Sequence, residues 1–529
     1  MERARARVPT TSTGEDMGHT SGRMLREGRQ LPEELVTARD EICALAKSYG
    51  LDFFEVIYEM VTYEEMNMLA AYGGFPTRYP HWRFGMEFIE MQKSYEYGLS
   101  KIYEMVINTE PSYAYLLDNN LIVDQKLVMA HVYGHVDFFK NNLWFQHTNR
   151  KMLDQMANHA TKVRAIMDRQ GQTEVEAFID QCLSIDNLID PYLPHIKRTR
   201  EVSEEEMERA ESDGHVGKLK AKSYMEPHIN PPEFLKAQRK RKEEELQRMR
   251  SFPEEPVRDV MGFVMQHAQM PRWKQEIMQI IRDEAYYFAP QGQTKIMNEG
   301  WATYWHTKLM TRHILSDSEV VDYADHHSGT VYQQPGRLNP YKMGVELFRH
   351  IEERWNKGRF GKDWMACEDP REQRKWDTGA GLGRDKLFEV RRTHNDITFL
   401  DTFLTADFCR EMGFFTTKFD AKANEWVIDS REFEDVKAQL LTMLATRGTP
   451  RVYVADANHA NRGELRMWHQ HEGVDIQLDW ASVTLQNLQA LWGRPVHLDT
   501  TIEGKPFRLS HDGSEAKRIK REKLEEDGT

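Results

Sequence analysis

The chain has 529 residues, 40% of them apolar and 29% charged, with a formal net charge of −13. These totals fit a soluble globular protein of two or three domains with some solvated segments. They argue against general nucleic-acid binding, and no apolar run approaches the length of a membrane span.

The first thirty residues are polar, lack an apolar leader core, and predict a disordered arm. Cys43, Cys182, Cys367 and Cys409 are far apart with no C-x-x-C, so neither a disulfide framework nor a cysteine zinc site is expected. The cytoplasm is the expected location. Pro32-Glu-Glu opens a predicted helix that ends at Tyr49-Gly50. Asp52 opens a second, through Phe53, Val56, Ile57, Met60 and Val61 towards Met66. Tyr72 to Gly85 carries five aromatic rings among Gly and Pro, and reads either as a pocket-lining loop or as a loop tucked onto the core. Met86 to Tyr97 is helical. Lys101 to Asn108 and Ser112 to Leu117 read as two strands joined at Pro111.

Next comes Asp124 to Asn142, apolar at Leu127, Val128, Ala130, Tyr133, Val136, Phe138 and Phe139. That spacing predicts a mostly buried helix. His131 and His135 are four residues apart and leave it on one face, a geometry that lets one helix supply two imidazoles to a metal ion. With 21 histidines, chance alone supplies roughly one such pair, so the setting matters more than the spacing. The setting includes a second apolar helix, Lys295 to His306, whose uncharged run past Lys295 holds one carboxylate, Glu299. A buried carboxylate needs a partner, and a cation held by two histidines is one. His131, His135 and Glu299 are therefore the expected metal ligands.

Between these helices, Lys151 to Arg169 and Thr173 to Leu188 are predicted helices, and about 196 to 254 is a charged, exposed insertion. Val257 to His267 and Trp273 to Phe288 are amphipathic, with a break expected at Pro290 and Gly292. Asp322 to Gly329 gathers Asp325, His326 and His327, either as ligands or as a polar helix end. Pro340 to Trp355 is helical, and Phe360 to about Gly383 is loop-like. From about 396 strands alternate with helices (425–429, 430–446, 451–455, 465–469, 479–492, 496–499), which predicts a small α/β domain to about 510 and a disordered tail over 511–529. His459, Asn461 and Arg462 form either a small ligand site or a turn.

The stretches Met129 to Asn141 and Met297 to His306, with Asn458 to Leu465, Leu478 to Ala481 and Leu491 to Val496, resemble the stage V sporulation protein R (SpoVR) family. The likeness runs from about residue 30 to 510. It implies a cytoplasmic bacterial protein tied to spore cortex formation, or to stress and stationary-phase signalling. The implied partners are a PrkA-type serine kinase and a von Willebrand A-like protein. Asn298 to Thr303 also resembles the third-ligand helix of zincin aminopeptidases. The fold expected is α+β: a large, mostly helical, zincin-like domain over 31–395 with a small hairpin or sheet, then the α/β domain.

In a zincin the residue after the first histidine is a glutamate that serves as general base. Here it is Val132. Hydrolysis would need a base from elsewhere, for which Glu64, Glu65, Asp137 and His306 are the candidates. Three functions follow: a metal-dependent hydrolase on a peptide or peptidoglycan-related substrate, a non-haem iron oxygenase using the same ligand trio, and a regulator that keeps the site on a zincin-like scaffold. The expected cofactor is a divalent metal, zinc first and iron second.

Overall fold

The computed structural model describes residues 30–96, 104–196, 252–333, 338–420, 425–514 and 520–524, with a few single positions between 231 and 240. The expected arm at 1–29 and nearly all of the charged insertion lie outside the described residues.

Helix α1 (Glu33–Ser48) ends as predicted, with Gly50 in the left-handed region at φ 85°. The next element corrects the reading of 52–66 as one helix. Val56–Val61 is strand β1, and helix α2 (Tyr63–Ala71) starts only after it. Val56, Ile57, Tyr58 and Val61 are β-branched or aromatic and suit a pleated, buried surface. Thr62 then opens α2 with a reciprocal capping box: its hydroxyl accepts from the Glu65 amide, and Glu65 Oε2 accepts from the Thr62 amide at 2.7 Å. Helix α3 (Trp82–Glu96) follows a loop whose rings Phe75 and Tyr79 are buried, so that loop is tucked into the core.

Strands β2 (Glu104–Ile107) and β3 (Ser112–Leu117) pair antiparallel as predicted, and β1 adds to β3 in parallel, giving the order β1-β3-β2. The sheet is covered on both sides. Tyr58, Met60, Ala114 and Leu116 face one core, and Val61, Tyr115 and Leu117 face another. Strand β3 leads directly into α4 (Ile122–Asn141), the histidine helix. Tyr58 crosses from β1 to donate to the Met129 carbonyl at 3.3 Å, tying sheet to helix.

Helices α5 (Met152–Gln170), α6 (Gln172–Leu183) and α7 (Val260–His267) follow. Helix α8 (Arg272–Gln293) runs through Pro290, where a break was expected. Proline lacks the N–H that would bond the Tyr286 carbonyl, yet the helix continues to Gln293, and the Thr294 hydroxyl donates to the Pro290 carbonyl at 2.7 Å. Helix α9 (Lys295–Leu309) carries Glu299 and passes into one π-helical turn, Met310–Ile314. Helices α10 (Val320–Thr330), α11 (Pro340–Asn356), α12 (Gly383–Thr393) and α13 (Asp396–Phe403) complete the surroundings of α9.

Two compact units emerge. The first holds residues up to 170 and 287–445, the second 171–286 and 446–529. Residues 396–445, expected to open the second domain, pack with the first unit: Phe399, Phe403, Phe408 and Val436 share a core with α4 and α9. That stretch also carries the hairpin β4 (Thr416–Asp420) and β5 (Glu425–Ser430), then α14 (Phe433–Thr446).

The second unit is built on a five-stranded sheet. Its strands are β6 (Arg451–His459), β7 (Glu464–Gln470), β8 (Val496–Ile502), β9 (Lys505–His511) and β10 (Lys520–Lys523), in the order β10-β9-β8-β7-β6. Helix α15 (Leu478–Trp492) makes the crossover between the parallel pair β7 and β8 and buries Leu485, Leu488 and Leu491. Strand β10 corrects the expectation of a disordered tail over 511–529: it pairs with β9 from Lys520 to Lys523.

Candidate metal centre

Helix α9 is held between α4 and α11 by residues too small to keep the backbones apart. A Cβ on Gly134 would lie 2.7 Å from the Ala302 Cα, and one on Gly344 would lie 2.2 Å from the Ile296 carbonyl oxygen. At the first crossing Gly134 is flanked by His131 and His135, and Ala302 follows Glu299 by three residues. The close approach therefore brings both imidazoles onto the carboxylate. Each Nε2 stands 3.4 Å from Glu299 Oε2. The three ligand atoms lie within 4.8 Å of one another, and all three residues are buried. Among the described residues this is the group of His, Cys, Asp and Glu side chains able to hold a metal ion.

The groups on the Nδ1 side of each ring bear on how the rings are protonated. His135 Nδ1 meets Asn298 Oδ1 at 2.9 Å, and that oxygen only accepts, so the His135 proton sits on Nδ1. His131 Nδ1 meets His306 Nδ1 at 2.8 Å, and His306 Nε2 meets His327 Nδ1 at 3.3 Å. With His131 donating, the protons run in one direction, each ring giving to the next. Both Nε2 lone pairs then face Glu299. Two lone pairs aimed at a carboxylate repel unless a cation lies between them. Glu299 Oε2 is buried with no hydrogen-bond partner, while Oε1 accepts from Lys295 Nζ one turn earlier. Donor types, tautomers and an unpartnered buried oxygen all fit a divalent cation.

Burial, reinforced by the neighbouring His135, holds His131 down to about 4 and so keeps it neutral. Burial and the adjacent His131 and His327 also hold His306 well below the usual histidine range. Burial alone would raise the Glu299 carboxyl, and Lys295, whose Nζ pairs with Oε1, works against that rise. The amide end of α9 is satisfied from a distance: Asp396 accepts from the Ile296 and Met297 amides, each at 2.9 Å.

A family model described as SpoVR like protein matches residues 30–449. The chain belongs to the SpoVR family. The Uncharacterized protein YcgB of Escherichia coli (strain K12) is 31% identical over 497 residues, covering 89% of this chain and 92% of its own length. No solved structure matches the chain.

Within this SpoVR-family chain the four candidate bases have separate places. Glu64 is exposed in the first turn of α2, and Glu65 is committed to the capping box. Asp137 is fully buried: Oδ1 accepts from the Asp52 amide and Oδ2 from Trp301 Nε1, both at 2.8 Å, with Arg391 at 3.4 Å. Burial pushes its carboxyl up to about 6 despite Arg391. His306 adjoins the cluster, behind His131. Val132 is wholly buried in the core.

Of the Asp322 to Gly329 group, His327 joins through His306, while His326 pairs with Asp124 at 2.8 Å. The His459 stretch is a turn: Ala460 and Asn461 have positive φ, Asn458 Oδ1 accepts from the Gly463 amide at 3.0 Å, and Arg462 pairs with Glu464. Sequence reasoning missed Asn298 and Asp396 as supports. Asn298 adjoins Glu299 and was open to inference. Asp396 is a hundred residues away and carries no local signal.

Proposed function

We propose that this SpoVR-family protein binds one divalent cation, zinc in the first instance, through His131, His135 and Glu299. In this reading the loaded protein acts in the cytoplasm as a regulator in spore cortex formation or stationary-phase signalling, with a PrkA-type serine kinase and a von Willebrand A-like protein as partners. The observation that carries the metal is the convergence of two Nε2 atoms on a buried carboxylate oxygen that has no hydrogen-bond partner. The cellular role and the partners rest on family resemblance. A small sheet feeding the two-histidine helix, with the third ligand on a later helix, supports a zincin-like reading of the scaffold.

Three protein ligands leave open positions, and a bound ion would act there as a Lewis acid. Hydrolysis of a peptide or peptidoglycan-related bond would use that acidity. The commitment of Glu65 and Asp137 to structural bonds favours a second reading that needs no general base, a non-haem iron oxygenase on the same trio. Elemental analysis of protein purified aerobically and anaerobically tests all of this. About one zinc per chain, lost in His131→Ala, supports the main reading, and iron after anaerobic purification moves it to the oxygenase. No stoichiometric metal in either preparation removes both. Co-purification with the kinase or the A-domain protein tests the partners separately.

A further inference from the structure

The charge at the metal centre does not balance. The ligand cluster contains one carboxylate, Glu299, and two histidines, which bind metals as neutral imidazoles. A divalent ion there leaves one positive charge in excess. Lys295 adds a second, because its Nζ pairs with the other oxygen of the same carboxylate. Excess charge of one sign in a buried site is costly until a counter-charge enters.

Lys295 stands where such a counter-charge would arrive. Its side chain is 56% exposed while that of Glu299 is 7% exposed, so it spans the boundary between the buried trio and solvent. Tyr341 marks the same side. Its ring stacks on His131 at 6.2 Å between centroids, and Lys295 Nζ lies 5.9 Å from its centre. The ligand trio, the ammonium and the aromatic ring thus lie beside one another on the side from which Lys295 reaches solvent.

Resting on the metal reading above, we infer that the site takes an oxyanion, a carboxylate or phosphate group, with one oxygen on the open metal position and a second on Lys295 Nζ. The group sets negative oxygens against both cations at once, which a neutral amide or alcohol cannot do. Lys295 is then a substrate-binding residue as well as a support for Glu299.

The test uses the full chain loaded with cobalt(II), whose visible absorption reports its ligands. Acetate, inorganic phosphate and neutral acetamide are titrated separately. The expected result is saturable spectral change with acetate or phosphate, whichever source the site prefers, and none with acetamide. Lys295→Met should bind the oxyanion at least about tenfold more weakly at unchanged cobalt content, and Lys295→Arg should recover most of the loss. Equal binding by Lys295→Met, a response to acetamide matching that to acetate, or no saturable response overturns the inference. If Lys295→Met and Lys295→Gln both lose cobalt, Lys295 only holds Glu299, and the inference is likewise overturned. Wild-type protein that takes up no cobalt fails the metal reading itself, which the cobalt content shows before any anion is added.

Discussion

Asn298 and His306 decide what the two ligand histidines can do, although neither is itself a ligand in the proposed site. Each occupies the Nδ1 side of one ring and leaves Nε2 for the ion. Removing such a partner frees the ring to rotate and to change tautomer. Asn298→Ala should therefore still bind about one metal per chain, but roughly 10- to 100-fold more weakly, measured by competition with a chromophoric chelator. Glu299→Gln should lose stoichiometric metal outright while keeping its circular dichroism spectrum. Asp137 belongs to a different category. It is the buried counter-charge of Arg391 and the acceptor for Trp301 Nε1. Asp137→Ala leaves Arg391 uncompensated and should lower stability by about 3–5 kcal/mol in urea unfolding. Metal content at saturating zinc should stay near wild type. A variant that folds normally but loses its metal would place Asp137 in the site.

At the scale of elements, the site exists because three helices cross without side chains between them. Gly134 meets Ala302, and Gly300 meets Gly344. Gly134→Ala must push α4 away from α9. Overpacking of that kind costs about 1–3 kcal/mol, and it also draws the histidines off Glu299, so thermal stability and metal affinity should fall together. Gly344→Ala acts on the far side of α9 and should cost stability first, with metal affinity less affected. The histidine helix and the Glu299 helix were legible in the sequence because periodicity and a lone carboxylate in an apolar run are local signals. Strand β1 was not. Apolar residues at 53, 56, 57, 60 and 61 suit either period, and only pairing with β3, more than fifty residues on, selects the strand. Pro290 misled for a related reason, since a proline reads locally as a helix stop while the folded ladder runs past it to Gln293.

Across the whole molecule, the trio was readable but its most distant support was not, since Asp396 reaches α9 from a hundred residues away. The boundary expected at 396 followed a change of composition, whereas Phe399, Phe403 and Phe408 belong to the same core as α9. Histidine burial sets the pH response of the whole fold. Burial holds His131, His350 and His469 down to about 4, from an ordinary value of 6.5. As pH falls through 6.5 towards 4, the unfolded chain takes up protons that the native chain does not, so stability falls over that window. Asp137, raised to about 6, works the opposite way but is one group against three. Chelator-treated protein should unfold at lower urea concentration at pH 5 than at pH 7. His469→Gln should flatten that dependence; an unchanged slope would mean that His469 does not contribute.

Strand β10 has a practical corollary. Its four residues, Lys520, Arg521, Glu522 and Lys523, are all exposed, and they occupy the outer flank of β9. Clipping the chain at about residue 515 would strip that charged border and leave a ribbon of bare amides and carbonyls ready to zip onto a neighbouring molecule. Expression designs that trim this end invite clumping, and a purification handle is better placed beyond residue 529 than in place of the strand.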